Sequence, residues 1–431
     1  MSRIIDLKAE TELRFEIPPS SSFTLKLLKG TAEIYGSELC LQKEYKFSGV
    51  KYAIFTFDGA SIQLNGACPA AVEYVSSECV VPFYMNLHLC LESLRSEAAS
   101  SGTVPRVLVL GSGRGVCVRT LLNYSIRSGR IPLFADLDIA NGTLVFPGVV
   151  GAGAMHRMIE PEEGFYTPST LAFYHGATSI ADNFRSLCRI IQHLGSAVGE
   201  RMKFIGESKD SANQVKHSGL FALFPGWVEG KSEELLRVAV KALQITMIVV
   251  VGNERLSSSI QRSWEGEEVK IISISKSSGL VAREASFRRF QMFQRIREYF
   301  YGFLDEYYPY SNTLAFKDVC IWKVEDRVAP PTSALPIGAE RKLEELSCCK
   351  VEIGQHLLYS ILGISSVAGA VSVGQENAHE LLGECSVLGF VHVSEVDMQK
   401  EKITVLCTSP GKLPSSVFVW GGIKWIEQQS K

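Results

Sequence analysis

The sequence predicts a mixed α/β chain, with a doubly wound parallel sheet at its centre, an all-β unit before it and a return to β-strands after it. Three observations carry this. Short apolar runs with a period of two fill residues 1–95, continuous apolar runs alternate with helix-length segments from Pro105, and alternating runs resume from about Asn312. A period of two marks half-buried strands, whereas an unbroken apolar run marks a parallel strand buried on both faces.

In the first part, strands are expected at Thr11–Ile17, Phe23–Leu28, Ala32–Ile34, Tyr45–Phe47, Tyr52–Phe57, Ser61–Leu64 and Ala71–Val75. Turn signals such as Pro18-Pro19, Asp58-Gly59 and Asn65-Gly66 separate them. This spacing suits a sandwich or barrel. Tyr84–Glu97 carries Leu87, Leu91 and Leu94 on one helical stripe, and the small polar run Ala98–Val104 reads as a linker. In the second part, Arg106–Leu110 is a buried strand, Gly111–Gly115 a glycine-rich turn and Val116–Ser128 a helix. Further strands are expected at Pro132–Asp138, Leu220–Phe224, Thr246–Val251 and Val269–Ser273, with helices at Asn183–Leu194 and Glu233–Leu243 between them. Such sheets bind ligands at the carboxyl ends of their strands, where Gly111 and Asp138 both fall. The third part holds strands at Thr313–Val324, Ser386–Val396, Ile403–Leu406 and Val417–Trp420. The expected domains are 1–100, 101–311 and 312–431.

Composition narrows the function. The chain of 431 residues is 46% hydrophobic and 21% charged, with a formal charge of −2. That excludes a disordered chain and a polycation, but leaves room for a local basic groove. The 11 cysteines include no C-x-x-C, and the 8 histidines show no metal spacing, so no metal cluster or disulfide framework is read. The opening segment Met1–Glu10 has no apolar core of a signal peptide, and a reducing intracellular setting is expected.

Three features carry chemistry. Gly111-Ser-Gly-Arg-Gly115, between a buried strand and a helix, can turn backbone N–H groups onto a phosphate. It satisfies neither G-x-x-x-x-G-K-[ST] nor G-x-G-x-x-G, and serves equally well as a tight strand–helix connection. Asp136-Leu-Asp138 ends the next strand, where an acid can organise Mg2+ or simply cap a loop. Arg283, Arg288, Arg289, Arg295 and Arg297 precede Tyr299-Phe-Tyr301, a combination that suits phosphates and stacked bases, or a solvated helix face.

Across nearly its full length the chain resembles the eukaryotic Clp-type polynucleotide 5′-hydroxyl kinase family, a subunit of pre-mRNA cleavage factor II. The likeness runs through Thr11–Glu16, Lys29–Leu39, Val50–Gly59, Leu122–Arg130, Ala135–Gly142, Gly226–Gly230, Asn253–Leu256, Lys276–Arg283, Arg295–Gly302, Ala334–Gly338 and Gly389–Asp397. The resemblance implies a central P-loop NTPase-like parallel sheet, an N-terminal β-sandwich domain and a small C-terminal α+β domain. It implies ATP and Mg2+ as cofactors and an RNA 5′-hydroxyl as acceptor. Its partners are a cleavage-factor II subunit, the pre-mRNA cleavage and polyadenylation complex and, in animals, the tRNA-splicing endonuclease, and its compartment is the nucleus.

By the same resemblance, Glu12 and Lys51 are adenine-side contacts, and Gly111, Ser112, Gly113, Arg114, Gly115 and Val116 form the phosphate loop. Asp138 would order Mg2+ and the attacking hydroxyl, Trp227 would stack on RNA, and Arg283 and Arg288 would steady the transferring phosphoryl group. The departures fall where the chemistry is done. Gly113-Arg114-Gly115 stands where the family has G-K-[ST], in a loop three residues short. The family's D-x-G-Q is Asp138-Ile-Ala-Asn141, and its C-G-W is Pro225-Gly-Trp227. An arginine fork does not replace a compact ammonium, and glycine offers a metal no hydroxyl. Two readings stay open: a scaffold subunit with reduced or lost kinase activity that still holds ATP, or a vestige of its site, through Glu12, Lys51 and the rest of the loop, and an active RNA kinase in which Arg114 replaces the lysine and metal comes through Asp138 and water.

Overall fold

The computed structural model describes residues 2–18, 21–66, 72–166, 169–205, 217–280, 284–326, 346–367 and 385–426. The expected Ala334–Gly338 segment and Arg283 lie outside them.

The N-terminal strands form two antiparallel sheets. One orders Ser2–Leu7, Ala60–Asn65, Ser22–Gly30 and Glu44–Ser48; the other orders Ser37–Glu38, Glu33–Ile34, Lys51–Thr56, Thr11–Glu16 and Val72–Ser76. Leu13, Phe15, Leu25, Leu27, Phe47, Ile54 and Ile62 fill the space between them. The unit is therefore a sandwich, and the alternating charge of the opening segment conceals its first strand, Ser2–Leu7.

The helix Val81–Ser101 runs through most of the expected linker, because Ala98 to Ser101 are small residues that a helix accepts, and it stops at Gly102 (φ 73°). Tyr84, Leu87 and Leu91 bury one stripe of it against the central sheet, each contributing roughly 1.5–3 kcal/mol. That sheet orders Lys270–Ile274, Met247–Val251, Arg106–Gly111, Leu220–Leu223 and Leu133–Asp136, all parallel. Successive residues divide between its faces. Leu108 and Leu110 join the core under helices Phe184–Ile205, Ser232–Leu243 and Glu254–Ser263. Val107 and Val109 join the core under Val81–Ser101 and Arg114–Arg127.

Two antiparallel strands, Val149–Ala154 and Thr170–Tyr174, extend this sheet. Through the pairing of Ala172 with Val387 it continues into the C-terminal strands Val387–Asp397, Ser360–Ser365, Val417–Lys424, Cys320–Asp326 and Leu346–Lys350. The single strand expected over Thr313–Val324 is two, Tyr310–Ala315 and Cys320–Asp326, parted by a 3-10 turn at Phe316–Asp318. Helix Ala285–Tyr301 packs across the seam, where Phe300 stacks on Trp425 with ring centroids 5.7 Å apart.

The sandwich docks on helix Arg114–Arg127. Arg127 pairs with Glu33 at 2.8 Å, the Tyr124 hydroxyl donates to the same carboxylate, and the Asn123 amide donates to the Tyr35 carbonyl at 2.9 Å. The helix that leaves the glycine-rich turn is thus wedged between the sandwich and the parallel sheet.

Candidate phosphate-binding site

Four chain segments meet at the carboxyl ends of the parallel strands: Gly111–Gly115, Asp136–Asn141, Pro225–Trp227 and Val251–Gly252. Only Ser112 and Gly113 separate strand Arg106–Gly111 from helix Arg114–Arg127. The connection is strongly constrained. Gly111 has φ 97°, and a Cβ there would lie 2.2 Å from the Val251 carbonyl oxygen. The Ser112 N–H donates to that same oxygen at 2.9 Å, and the Cys117 N–H donates to the Gly113 carbonyl at 3.1 Å. A phosphate loop turns several consecutive free N–H groups onto an anion, and here the first of them, Ser112 N–H, is already committed to Val251.

Arg114, the first helical residue, turns its guanidinium onto Asp138. Its Nη2 donates to Asp138 Oδ2 at 2.6 Å and its Nη1 to the Gly111 carbonyl at 3.3 Å. Asp138 is 1% exposed. Its Oδ2 also accepts from Asn141 Nδ2 at 2.6 Å, and its Oδ1 accepts from the Ala140 N–H at 3.3 Å. Asp136 accepts from the N–H groups of Asp138, Thr143 and Leu144 at 3.0, 2.6 and 3.1 Å. Burial, with the nearby charge of Asp138, pushes the Asp136 carboxyl up to about 7.

These residues do not fit a magnesium ion. Mg2+ asks for near-octahedral oxygen ligation. The one carboxylate in place is already hydrogen-bonded, Gly113 and Gly115 carry no hydroxyl, and a guanidinium stands beside it. Among the described residues no cluster of three or more His, Cys, Asp or Glu could hold a metal.

The base-side residues lie around a separate cavity of about 100 Å3, lined by Glu12, Lys51, Tyr35, Tyr84, Gly113 and Val116, among others. Glu12, Arg14 and Glu16 alternate along strand Thr11–Glu16 and so share the face opposite Leu13 and Phe15. Their charges are matched internally. Arg14 Nε meets Glu12 Oε1 at 2.5 Å, and Arg14 Nη2 donates to the Glu78 carbonyl at 2.6 Å. Lys51 Nζ lies 2.7 Å from Glu16. Burial raises the Glu12 carboxyl against the opposing pull of Arg14. The volume is below the roughly 300–1,000 Å3 of small-molecule pockets.

Trp227 is half buried against Phe224, with ring centroids 6.3 Å apart, and the preceding Gly226 lies beside the Arg114 guanidinium. Arg288 is exposed on the first turns of helix Ala285–Tyr301, next to Phe287, whose ring is 5.7 Å from Lys51 Nζ. The fold therefore gathers Glu12, Lys51, Gly111–Val116, Asp138 and Trp227 at one end of the sheet, whereas Arg288 is placed against none of them.

Sequence reasoning missed the Arg114–Asp138 pair, whose members come from different segments, and a larger cleft of about 590 Å3 at the C-terminal seam. His175, Asp182, Arg289, Phe293, Lys323 and Trp420 contribute to that cleft. They are scattered along the chain, and no local spacing announces them.

Comparison with known proteins agrees with this architecture. Residues 6–98 match the N-terminal beta-sandwich domain of polyadenylation factor, residues 110–302 the P-loop region of mRNA cleavage and polyadenylation factor Clp1, and residues 307–427 pre-mRNA cleavage complex II protein Clp1. The Dictyostelium discoideum Clp1 homolog is 35% identical over 438 residues, covering 99% of this chain and 90% of that one. The Homo sapiens polyribonucleotide 5′-hydroxyl-kinase Clp1 is 35% identical over 429 residues, covering 98% and 96%. Two solved Clp1p–Pcf11p complexes superpose with a TM-score of 0.83 at 22% identity, each over 99% of both chains; one is wild type, the other a point mutant described in terms of ATP loss. With the sandwich, the P-loop-type sheet and the C-terminal strands each matched in order, the chain belongs to the Clp1 family.

Proposed function

We propose that this chain is a scaffold subunit of the pre-mRNA 3′-end cleavage and polyadenylation machinery that has lost phosphoryl transfer. It would work in the nucleus, joined to a Pcf11-type cleavage-factor partner. One observation carries the loss of activity: the Arg114 guanidinium, at the head of a two-residue connection, is paired at 2.6 Å with Asp138. Phosphoryl transfer depends on positioning and on cations that neutralise charge on the transferring group. Here the cation at the turn is already neutralised by the acid expected to order the metal. Family membership and the near full-length coverage of the relatives support the scaffold role, because the sandwich and the C-terminal region are both matched in sequence.

The alternative, an ATP-dependent RNA 5′-hydroxyl kinase that would extend to tRNA splicing, needs Arg114 to leave Asp138 and take up the phosphates. The two separate in one assay. Radiolabelled γ-phosphate from ATP is offered, with Mg2+, to a 5′-hydroxyl oligoribonucleotide. The scaffold reading expects no transfer, together with capture of a Pcf11-type fragment by wild type and Asp138→Asn alike. Transfer that disappears in Asp138→Ala would establish the kinase instead.

A further inference from the structure

We propose that Arg114 is the permanent counter-ion of Asp138 and that this site excludes divalent cations. The inference rests on the reading above only for the location of the site, and it concerns metal binding rather than catalysis.

Three features argue for it. First, both Asp138 oxygens are engaged, Oδ2 by Arg114 and Asn141 at 2.6 Å each and Oδ1 by the Ala140 N–H at 3.3 Å. A metal would have to displace charge-assisted bonds, which are among the stronger hydrogen bonds of a protein. Second, the neighbouring carboxylate is directed elsewhere. Asp136 is bound to three backbone N–H groups, and the glycines at 113 and 115 present no side chain. A hard cation held by one carboxylate keeps most of its ligands as water and binds weakly. Third, the guanidinium is held from a backbone that is itself fixed. Arg114 starts a helix whose first turn is fixed by Cys117 N–H to Gly113 O at 3.1 Å, the connection before it is pinned to Val251, and Nη1 holds the Gly111 carbonyl.

Manganese, whose free ion is read by electron paramagnetic resonance, is the probe. Full-length wild type and Asp138→Asn should give superimposable Mn2+ titrations. An ion bound by wild type and lost in Asp138→Asn overturns the proposal. Arg114→Gln, checked for folding by circular dichroism, leaves a buried carboxylate without its counter-ion. Manganese should raise its melting temperature by a few degrees more than that of wild type, and the extra rise should vanish in Arg114→Gln/Asp138→Asn. A folded Arg114→Gln whose melting ignores manganese would overturn Arg114 as the group that keeps the ion out. Should Arg114→Gln fail to fold, the comparison of wild type with Asp138→Asn decides alone. No phosphate transfer is read, so a manganese ion on Asp138 would sink this inference while leaving the scaffold role standing.

Discussion

The two ends of the candidate site are both neutralised by the chain itself, but by different means. At the base side, Glu12 pairs with Arg14 on the same strand, and Lys51 pairs with Glu16, its register partner across the sheet. At the phosphate side, Arg114 pairs with Asp138 across two strand ends, at 2.6 Å and with Asp138 1% exposed. The first arrangement follows from the alternation of one β-strand and would form wherever that strand pairs. The second exists only once the parallel sheet has closed and the helix has been drawn tight against it. The difference teaches that the second pairing is a product of tertiary structure: the short connection puts Arg114 in the first turn of the helix, within reach of Asp138.

The largest effect should come from the phosphate side. Arg114→Leu leaves a buried carboxylate without its cation, and unfolding in urea should show a loss of about 3–5 kcal/mol. Arg114→Leu/Asp138→Leu should recover most of it, since replacing both partners of a buried pair by apolar groups is often neutral. Additive losses in that double-mutant cycle would break the comparison, because they would mean the two residues do not act as a pair.

Next in size is a pH effect at the neighbouring acid. Burial and the neighbouring Asp138 charge push the Asp136 carboxyl up to about 7 in the fold, well above the ordinary carboxylate range. The folded-state value is raised, so the protonated form favours the fold; the contribution is complete below about pH 4 and is lost as pH rises through 7. Between pH 4.5 and 7.5 this should remove on the order of 2–4 kcal/mol. Asp136→Asn should flatten that slope in a series of denaturation midpoints. A wild-type midpoint that climbs over the same range, with no difference from Asp136→Asn, would show that Asp136 is charged throughout.

How far the sequence foretold these features follows the same division. Period-two alternation made the sandwich strands legible, and the unbroken runs Arg106–Leu110 and Thr246–Val251 made the parallel sheet legible, because both patterns are local. Strands Val149–Ala154 and Thr170–Tyr174 were not foreseen. Gly151 and Gly153 in the first and Thr170 in the second dilute the apolar signal, and their antiparallel pairing is tertiary. The glycine-rich turn could be seen as a departure from a phosphate loop. That Arg114 would swing onto Asp138 could not, since it depends on where two strand ends finish in space. Arg283 falls outside the described residues, and Arg288 is exposed on helix Ala285–Tyr301, whose Phe287 meets Lys51.

The base side gives the finer tests. Glu12→Gln keeps an acceptor for Arg14 but removes the charge, and should cost about 1–2 kcal/mol, the difference between a charged and a neutral hydrogen bond. Lys51→Ala is smaller still. Lys51 and Glu16 are each about one-third exposed, at 28% and 32% of their side chains, so solvent screens them and the pair is worth below about 1 kcal/mol. The expected result is a denaturation midpoint almost unchanged from wild type and insensitive to added salt. A loss comparable to that of Arg114→Leu would mean that Lys51 is tied into the fold beyond its partner on the next strand. The ring of Phe287, 5.7 Å away on helix Ala285–Tyr301, would then be the contact to remove next, since it links this strand to the arginine-bearing helix through Lys51.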